Sequence, residues 1–564
     1  MCRLLCSMID KREKMERTHW YKDRVFYQIW PRSFKDGNGD GMGDLYGVLE
    51  KLDYLKSLGI GGIWFSPLYV SPGVDCGYDI ADYYHIAPEF GGDEAFDAVL
   101  KAAHERDIKV IMDLVVNHTS TECEWFQKSR KRIEPYTDYY IWRPAKANGK
   151  LPNNWDSEFE GDSAWEWDEE RGEYYLHIFA IKQADLNMDN PLVREEVKKI
   201  LRYWLDKGVD GFREDVITYI SKPEGLPNEH ILPVHKGITQ YNMGPHLHEY
   251  LEEFKTEVLD DYDQVTIAEA TLIKPKKALS LIGYGPGKVL DMVIQFECQC
   301  GDCFLTDYIP LPFSLRKMKR AFRNWQEKLY GKAWNMLYIE NHDHPRMVSR
   351  YGSEKFQKES AKMLGAMYMF LQGTPFVYQG QEIGMINWHP ENEDMYEDVQ
   401  TRNHRTHLPK DKRLRLLWRA SRDSARTPVQ WTSGPHAGFS DTEPWFYVNE
   451  RAKDINVEDQ EKDPGSVLNF YRKAIDLRFS LPVIKEGRYT EYMKGSSSFY
   501  VYSRDDEYQS VLVMCSFKGH NRKLKVPKEF DLSKGELILS NYEVSDSGEK
   551  VTMRPYEVRV YLFE

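Results

Sequence analysis

A chain of 564 residues is too long for one ordinary domain and leads us to expect two to four, unless a large barrel takes up most of it. Hydrophobic residues make up 41%, charged residues 29% and aromatics 13%, a globular composition rich in flat rings that stack on sugars and bases alike. The net charge of −13 argues against a protein that grips phosphate backbones, a task that relies on Lys and Arg, so no nucleic-acid partner is expected.

The opening "MCRLLCSMIDKREKMER" has a brief apolar patch followed by charges and does not read as a signal peptide. No run approaches the roughly 18 to 20 apolar residues of a membrane helix, and the 8 cysteines show no framework spacing. A cytoplasmic protein without a membrane partner is expected. Short apolar runs then alternate with amphipathic segments. "VFYQ", "GIWF", "VIMDLV", "DGFR", "VTIA", "MVIQF", "NMLYI" and "PFVY" are the candidate strands, separated by helical periodicity as in "EAFDAVLKAAHERD" and "VREEVKKILRYWLDKG". Eight such units predict a (β/α)₈ TIM barrel, although an open doubly wound sheet gives the same local signal.

Two stretches break the rhythm. Residues 119–188, rich in Trp, Tyr, Asp and Gly, read as an inserted subdomain after strand three. From residue 482 the pattern changes to alternating strands such as "SFYVYSR" and "EVRVYLFE", an all-β C-terminal sandwich over 482–564. The barrel then takes 1–118 and 189–481. Within it, Cys298, Cys300 and Cys303 in "ECQCGDC" lack a nearby second Cys or His pair to complete four ligands, so zinc is not expected there.

Charged clusters follow the candidate strands: Asp113 with Asn117 and His118, Arg213 with Asp215, Glu269, then Asn341, His342 and Asp343. In a barrel these strand ends meet at one mouth, where active sites form. Opposed carboxylates with His and Arg at one mouth are the equipment for acid/base and nucleophilic work on a glycosidic bond. Any one cluster alone would more often be a strand-end cap or a surface ion pair. Four of them in strand order make that reading insufficient.

The same residues carry a family resemblance. "DLVVNH" (113–118), "GFREDV" (211–216), "IAEA" (267–270) and "ENHD" (340–343) resemble the four ordered regions of the α-amylase family of glycoside hydrolases. "YQIWPRSFKDGNGDGMGDLYG", "GYDIADYYHI", "QADLNMDNP" and "SRDSARTPVQW" resemble its oligo-1,6-glucosidase and α-glucosidase branch. The resemblance implies a catalytic barrel, α-glucoside hydrolysis with retention, Asp215 as nucleophile, Glu269 as general acid/base and Asp343 as the carboxylate that holds the sugar hydroxyls. Arg213 would orient Asp215 and keep it ionised, and Asp75, Tyr78, His118, His342 and Arg426 would bind the glucose. Val216, beside the nucleophile, would favour α-1,6 linkages because a stiff β-branched side chain crowds the scissile oxygen. Glu214 points to the other face of the strand and reads as structural.

"DGNGDGMGD" offers Asp36, Asn38, Asp40 and Asp44 as oxygen ligands with the Met42 carbonyl, the first half of a calcium loop with Gly41 at the turn. A full EF-hand would need Glu at the twelfth position, where Gly47 stands. The branch implies one structural Ca²⁺ here, with Mg²⁺ as the alternative, and a turn without metal remains open. Cys76, Ala268, Glu340 and "EATLIKP" depart from the branch pattern. The expected enzyme is an exo-acting α-glucosidase on short oligosaccharides such as isomaltose and panose, a monomer or weak homo-oligomer. Trehalose-6-phosphate hydrolysis, sucrose hydrolysis or isomerisation, transglucosylation and a non-enzymatic transporter-heavy-chain scaffold are the other readings.

Overall fold

The computed structural model describes residues 17–159, 161–299, 301–304, 306–404 and 408–564. Most of the opening stretch, through Glu16, and Cys300 of the three-cysteine cluster lie outside them. Eight parallel strands form the centre: β1 Phe26–Ile29, β2 Gly62–Phe65, β3 Lys109–Leu114, β4 Gly211–Glu214, β5 Val265–Ala270, β6 Met292–Gln295, β7 Met336–Leu337 and β8 Thr374–Tyr378. Their order is 6-5-4-3-2-1-8-7, so chain order runs around a barrel and only the β6–β7 seam lacks a backbone ladder. Tyr338 Oη reaches across that seam to Gln295 O at 3.1 Å. Each of the eight candidate runs thus lies on a barrel strand.

These runs are apolar on both faces because both faces are covered. Phe26, Trp64, Ile111, Ile267, Met292, Met336 and Phe376 fill the barrel, with Phe26 and Phe376 stacked at 4.6 Å. Gly211 opens β4 at φ 149°, where a Cβ would come within 2.1 Å of Val265 O. A side chain there would push β4 off β5. The first barrel helix, α1 Leu45–Leu58, starts on the Asp44 carboxylate, which accepts from Gly47 N at 2.7 Å, and ends at Gly59 in the left-handed region.

After β3 the chain leaves the barrel through His118–Ser120 and returns through Gln183–Asp185. These two segments pair antiparallel, His118 opposite Asp185 and Ser120 opposite Gln183. Between them lies a three-stranded antiparallel sheet of Trp142–Arg143, Trp165–Asp168 and Glu173–Leu176. Trp155 and Trp165 form its core together with Tyr219, Ile238 and Tyr241 from beyond β4. The C-terminal region is a five-stranded antiparallel sheet facing the pair Arg522–Lys525 and Lys550–Met553, with Val501, Leu512, Leu524 and Val551 between them. Tyr502 Oη ties it to the barrel layer at Met367 O, 2.8 Å. Among the described residues no helix is long and apolar enough to cross a membrane.

Candidate active site

Asp113 lies near the end of β3, Asp215 directly follows β4, Glu269 is near the end of β5 and Asp343 lies beyond β7. The period of two puts Arg213 and Asp215 on the barrel side of β4, where the guanidinium becomes the hub of the cluster. Arg213 Nη1 donates to Asp215 Oδ1 at 2.6 Å and to Asp113 Oδ1 at 3.2 Å, and Nη2 donates to Glu269 Oε2. Val216 N also donates to Glu269 Oε2, at 3.2 Å. Burial pushes the Asp215 carboxyl well up, Arg213 pulls against it, and Glu269, Asp113 and Asp343 add to the push. That differs from the expectation that Arg213 keeps Asp215 ionised, because burial is the larger influence and one guanidinium serves three carboxyls. Burial likewise lifts Asp113 to about 6 against Arg213.

Asp343 goes the other way. Burial would raise it, but the guanidiniums of Arg422 and Arg426 outweigh that and hold it well below the usual carboxylate range. His342 lies between Trp30 and Tyr78, with ring centroids 5.1 and 5.5 Å away. Its Nδ1 faces the Gln28 amide at 2.7 Å and its Nε2 faces Tyr78 Oη at 2.7 Å, while Tyr78 Oη donates to Asp113 Oδ2 at 2.7 Å. A single direction satisfies this chain: Gln28 to His342, His342 to Tyr78, Tyr78 to Asp113. It makes His342 neutral with the proton on Nε2, in keeping with the strong lowering that burial imposes. Burial also lowers His118 to about 4.

A cavity of about 150 Å³ lies over these groups, lined by Asp75, Tyr78, His118, Asp215, Val216, Glu269, His342 and Asp343. Arg213 sits beneath the carboxylates and not in the lining. Arg426 does not line the cavity either: its Nε donates to His342 O at 3.0 Å and Nη2 comes 3.5 Å from Asp343 Oδ1, behind that carboxylate. The arginine that does face the cavity is Arg422, missed in the sequence although it stands in the same "SRDSARTPVQW" motif. Its Nη2 donates to Asp75 Oδ1 at 3.1 Å and Nη1 comes 3.4 Å from Asp343 Oδ1, with Asp398 fixing Nε at 2.8 Å. The segment after β3 supplies Phe159 and Phe179 to the wall. Trp155 and Trp165 are spent on its own core.

In the loop after β1, Asp36 accepts from Gly39 N at 2.6 Å, Gly41 N at 2.9 Å and Ser440 Oγ at 2.6 Å. Asp44 accepts from Asn38 N at 3.0 Å besides capping α1, and Asp40 Oδ1 accepts from Met42 N at 2.8 Å. The donor set of hard oxygens suits Ca²⁺ or Mg²⁺. Among the described residues, however, Asp36, Asp40 and Asp44 do not bring their oxygens within 4.8 Å of one another.

The barrel with carboxylates gathered at its strand ends defines a glycoside hydrolase fold, and the chain belongs to the α-amylase family, whose catalytic-domain model matches residues 28–487. It is 44% identical over 561 residues to an oligo-1,6-glucosidase of Parageobacillus thermoglucosidasius, covering 97% of this chain and 99% of that one. The trehalose-6-phosphate hydrolase structure of Bacillus licheniformis superposes with a TM-score of 0.91 at 40% identity, covering 97% and 100%. The isomaltulose synthase of Erwinia rhapontici does so with a TM-score of 0.93 at 36% identity, covering 98% and 100%.

Proposed function

We propose that the chain is a retaining, exo-acting α-glucosidase that releases terminal α-1,6-linked glucose, and α-1,4-linked glucose less readily, from short oligosaccharides such as isomaltose and panose. The observation that carries this reading is the bridge of Arg213 between Asp215 and Glu269. A bridged pair suits the separation of about 5 to 5.5 Å of retaining enzymes better than the wider gap that admits a water. In this mechanism Asp215 attacks the anomeric carbon while Glu269 gives its proton to the leaving oxygen. Glu269 then takes a proton from water, which displaces Asp215 and returns glucose with its α configuration. Asp343 holds sugar hydroxyls as positive charge develops on the ring. The ion pairs from Arg422 to Asp75 and Asp343 close the far end of the pocket, which favours removal of one glucose at a time.

The loop at Asp36, Asn38, Asp40, the Met42 carbonyl and Asp44 would hold Ca²⁺ or Mg²⁺ as a structural ion that takes no part in the chemistry. Cytoplasmic residence accords with Cys76, Cys123 and Cys515 outside any disulfide. The test is direct. Asp215→Asn and Glu269→Gln should each lower turnover of p-nitrophenyl α-glucoside by about 10³-fold or more with the fold retained. NMR of the first product should show α-glucose. A β-anomer product, or near-normal turnover in either variant, would overturn the assignment.

A further inference from the structure

Next to the glucosyl pocket lies a second cavity of about 180 Å³ that shares Phe296, Asp343 and Gln400 with it. The shared wall puts it where the rest of an oligosaccharide bound in the glucosyl pocket would extend. Three side chains of its described lining can carry positive charge, His235, His344 and Arg350. Each is already held by a carboxylate. His235 Nδ1 lies 2.6 Å from Glu158 Oε2, and His344 Nδ1 lies 2.8 Å from Asp307 Oδ2. Arg350 reaches Asp307 Oδ1 at 2.5 Å through Nη2, Asp302 Oδ1 at 3.1 Å through Nε and the Gln299 carbonyl at 3.0 Å.

We infer that this compartment accepts an uncharged sugar as aglycone and turns away a phosphorylated one, a selection that rests on the α-glucosidase reading above. A sugar hydroxyl finds carboxylate acceptors in Glu158 and Asp307 and an amide in Gln400 without breaking an ion pair. A phosphate monoester, carrying about −1.5 to −2 charges near neutral pH, meets the same carboxylates as like charges. To gain a cation it must first pull His235 from Glu158 or Arg350 from Asp307. Like-charge juxtaposition of this kind is how an interface rejects the wrong partner. The pairs are tight in both directions: Glu158 lifts His235, and Arg350 and His344 outweigh burial to hold Asp307 well below the carboxylate range.

The experiment compares trehalose with trehalose 6-phosphate as inhibitors of p-nitrophenyl α-glucoside hydrolysis at about pH 7.5, where the phosphate is mostly dianionic. The two sugars differ only in the phosphate, so the ratio of inhibition constants isolates it. In the wild type trehalose 6-phosphate should inhibit about tenfold more weakly than trehalose or worse. Equal or stronger inhibition by the phosphate overturns the inference. Glu158→Gln, at a partly exposed position, and Asp307→Asn should each move the ratio toward the phosphate by about tenfold, because each removes a like charge and the second also loosens the hold on Arg350. A ratio unchanged in both also overturns it. Absence of any hydrolysis of the aryl glucoside by the wild type would instead remove the glucosidase reading on which the inference stands.

Discussion

Val216 sits at φ 35° and ψ 35° in the left-handed region, unusual for a β-branched residue and costing about 1 to 2 kcal/mol. The strained turn directs its amide at Glu269 and its side chain into the glucosyl pocket, so the residue is more than strand filling. Val216→Ala should narrow the ratio of kcat/KM for isomaltose over maltose, within the roughly 1 to 3 kcal/mol that one pocket contact can decide. An unchanged ratio would remove Val216 as the linkage determinant. Glu214, one position before Asp215, is lifted from 4.5 to about 8 by burial, with Asp291 adding to it. Its folded pKa exceeds the unfolded one, so the stability it contributes is complete below about 4.5 and is lost as pH rises toward 8. Glu214→Gln, which needs no proton, should therefore stabilise the fold more at pH 8 than at pH 5, by a difference in unfolding free energy on the order of 1 to 3 kcal/mol. The four clusters were legible because each stands at a strand end. Arg422 was not, since nothing in "SRDSAR" says which arginine a helical turn will aim inward.

At the level of elements, the barrel strands were readable as short apolar runs because helices cover one face and the barrel core the other. The pairing of His118–Ser120 with Gln183–Asp185 was not readable, since "HTS" and "QAD" have no apolar alternation. Its stability comes from a buried polar knot. Lys222 Nζ reaches Asp185 Oδ1 at 2.7 Å and Asn117 Oδ1 at 2.8 Å, and Asn117 Nδ2 touches both Asp185 at 3.0 Å and His118 Nδ1 at 3.2 Å. Lys222→Met strands a buried carboxylate and should cost about 3 to 5 kcal/mol, with KM raised through His118. Adding Asp185→Asn should recover part of the stability, and no recovery would disprove the ion-pair account. In the loop after β1, Asp44→Ala should cost about 0.5 to 2 kcal/mol as a lost cap even in chelator. If the loop also binds Ca²⁺, chelator should lower the melting temperature of the wild type but leave that of Asp44→Ala unmoved.

For the molecule as a whole, the sequence pattern gave away the barrel, the interruption after its third strand and the β-rich end, because hydrophobic periodicity changes at each. It could not show how these parts share a core. Tyr219, Ile238 and Tyr241, far along the chain, complete the packing of the interrupting segment. Nor could it show the aglycone compartment, whose charged residues are scattered from Glu158 to Arg350 and meet only in three dimensions. The antiparallel ladder at the base of the interrupting segment carries one more implication. It ties that stretch like a lariat, so the barrel feels the knot and not the length of the noose. Lengthening the noose twofold should cost only about 0.6 kcal/mol in closure entropy. The wall that frames the sugar is thus a detachable part, and grafting another noose, with the 217–241 stretch that beds it, should recast substrate choice without moving the carboxylates.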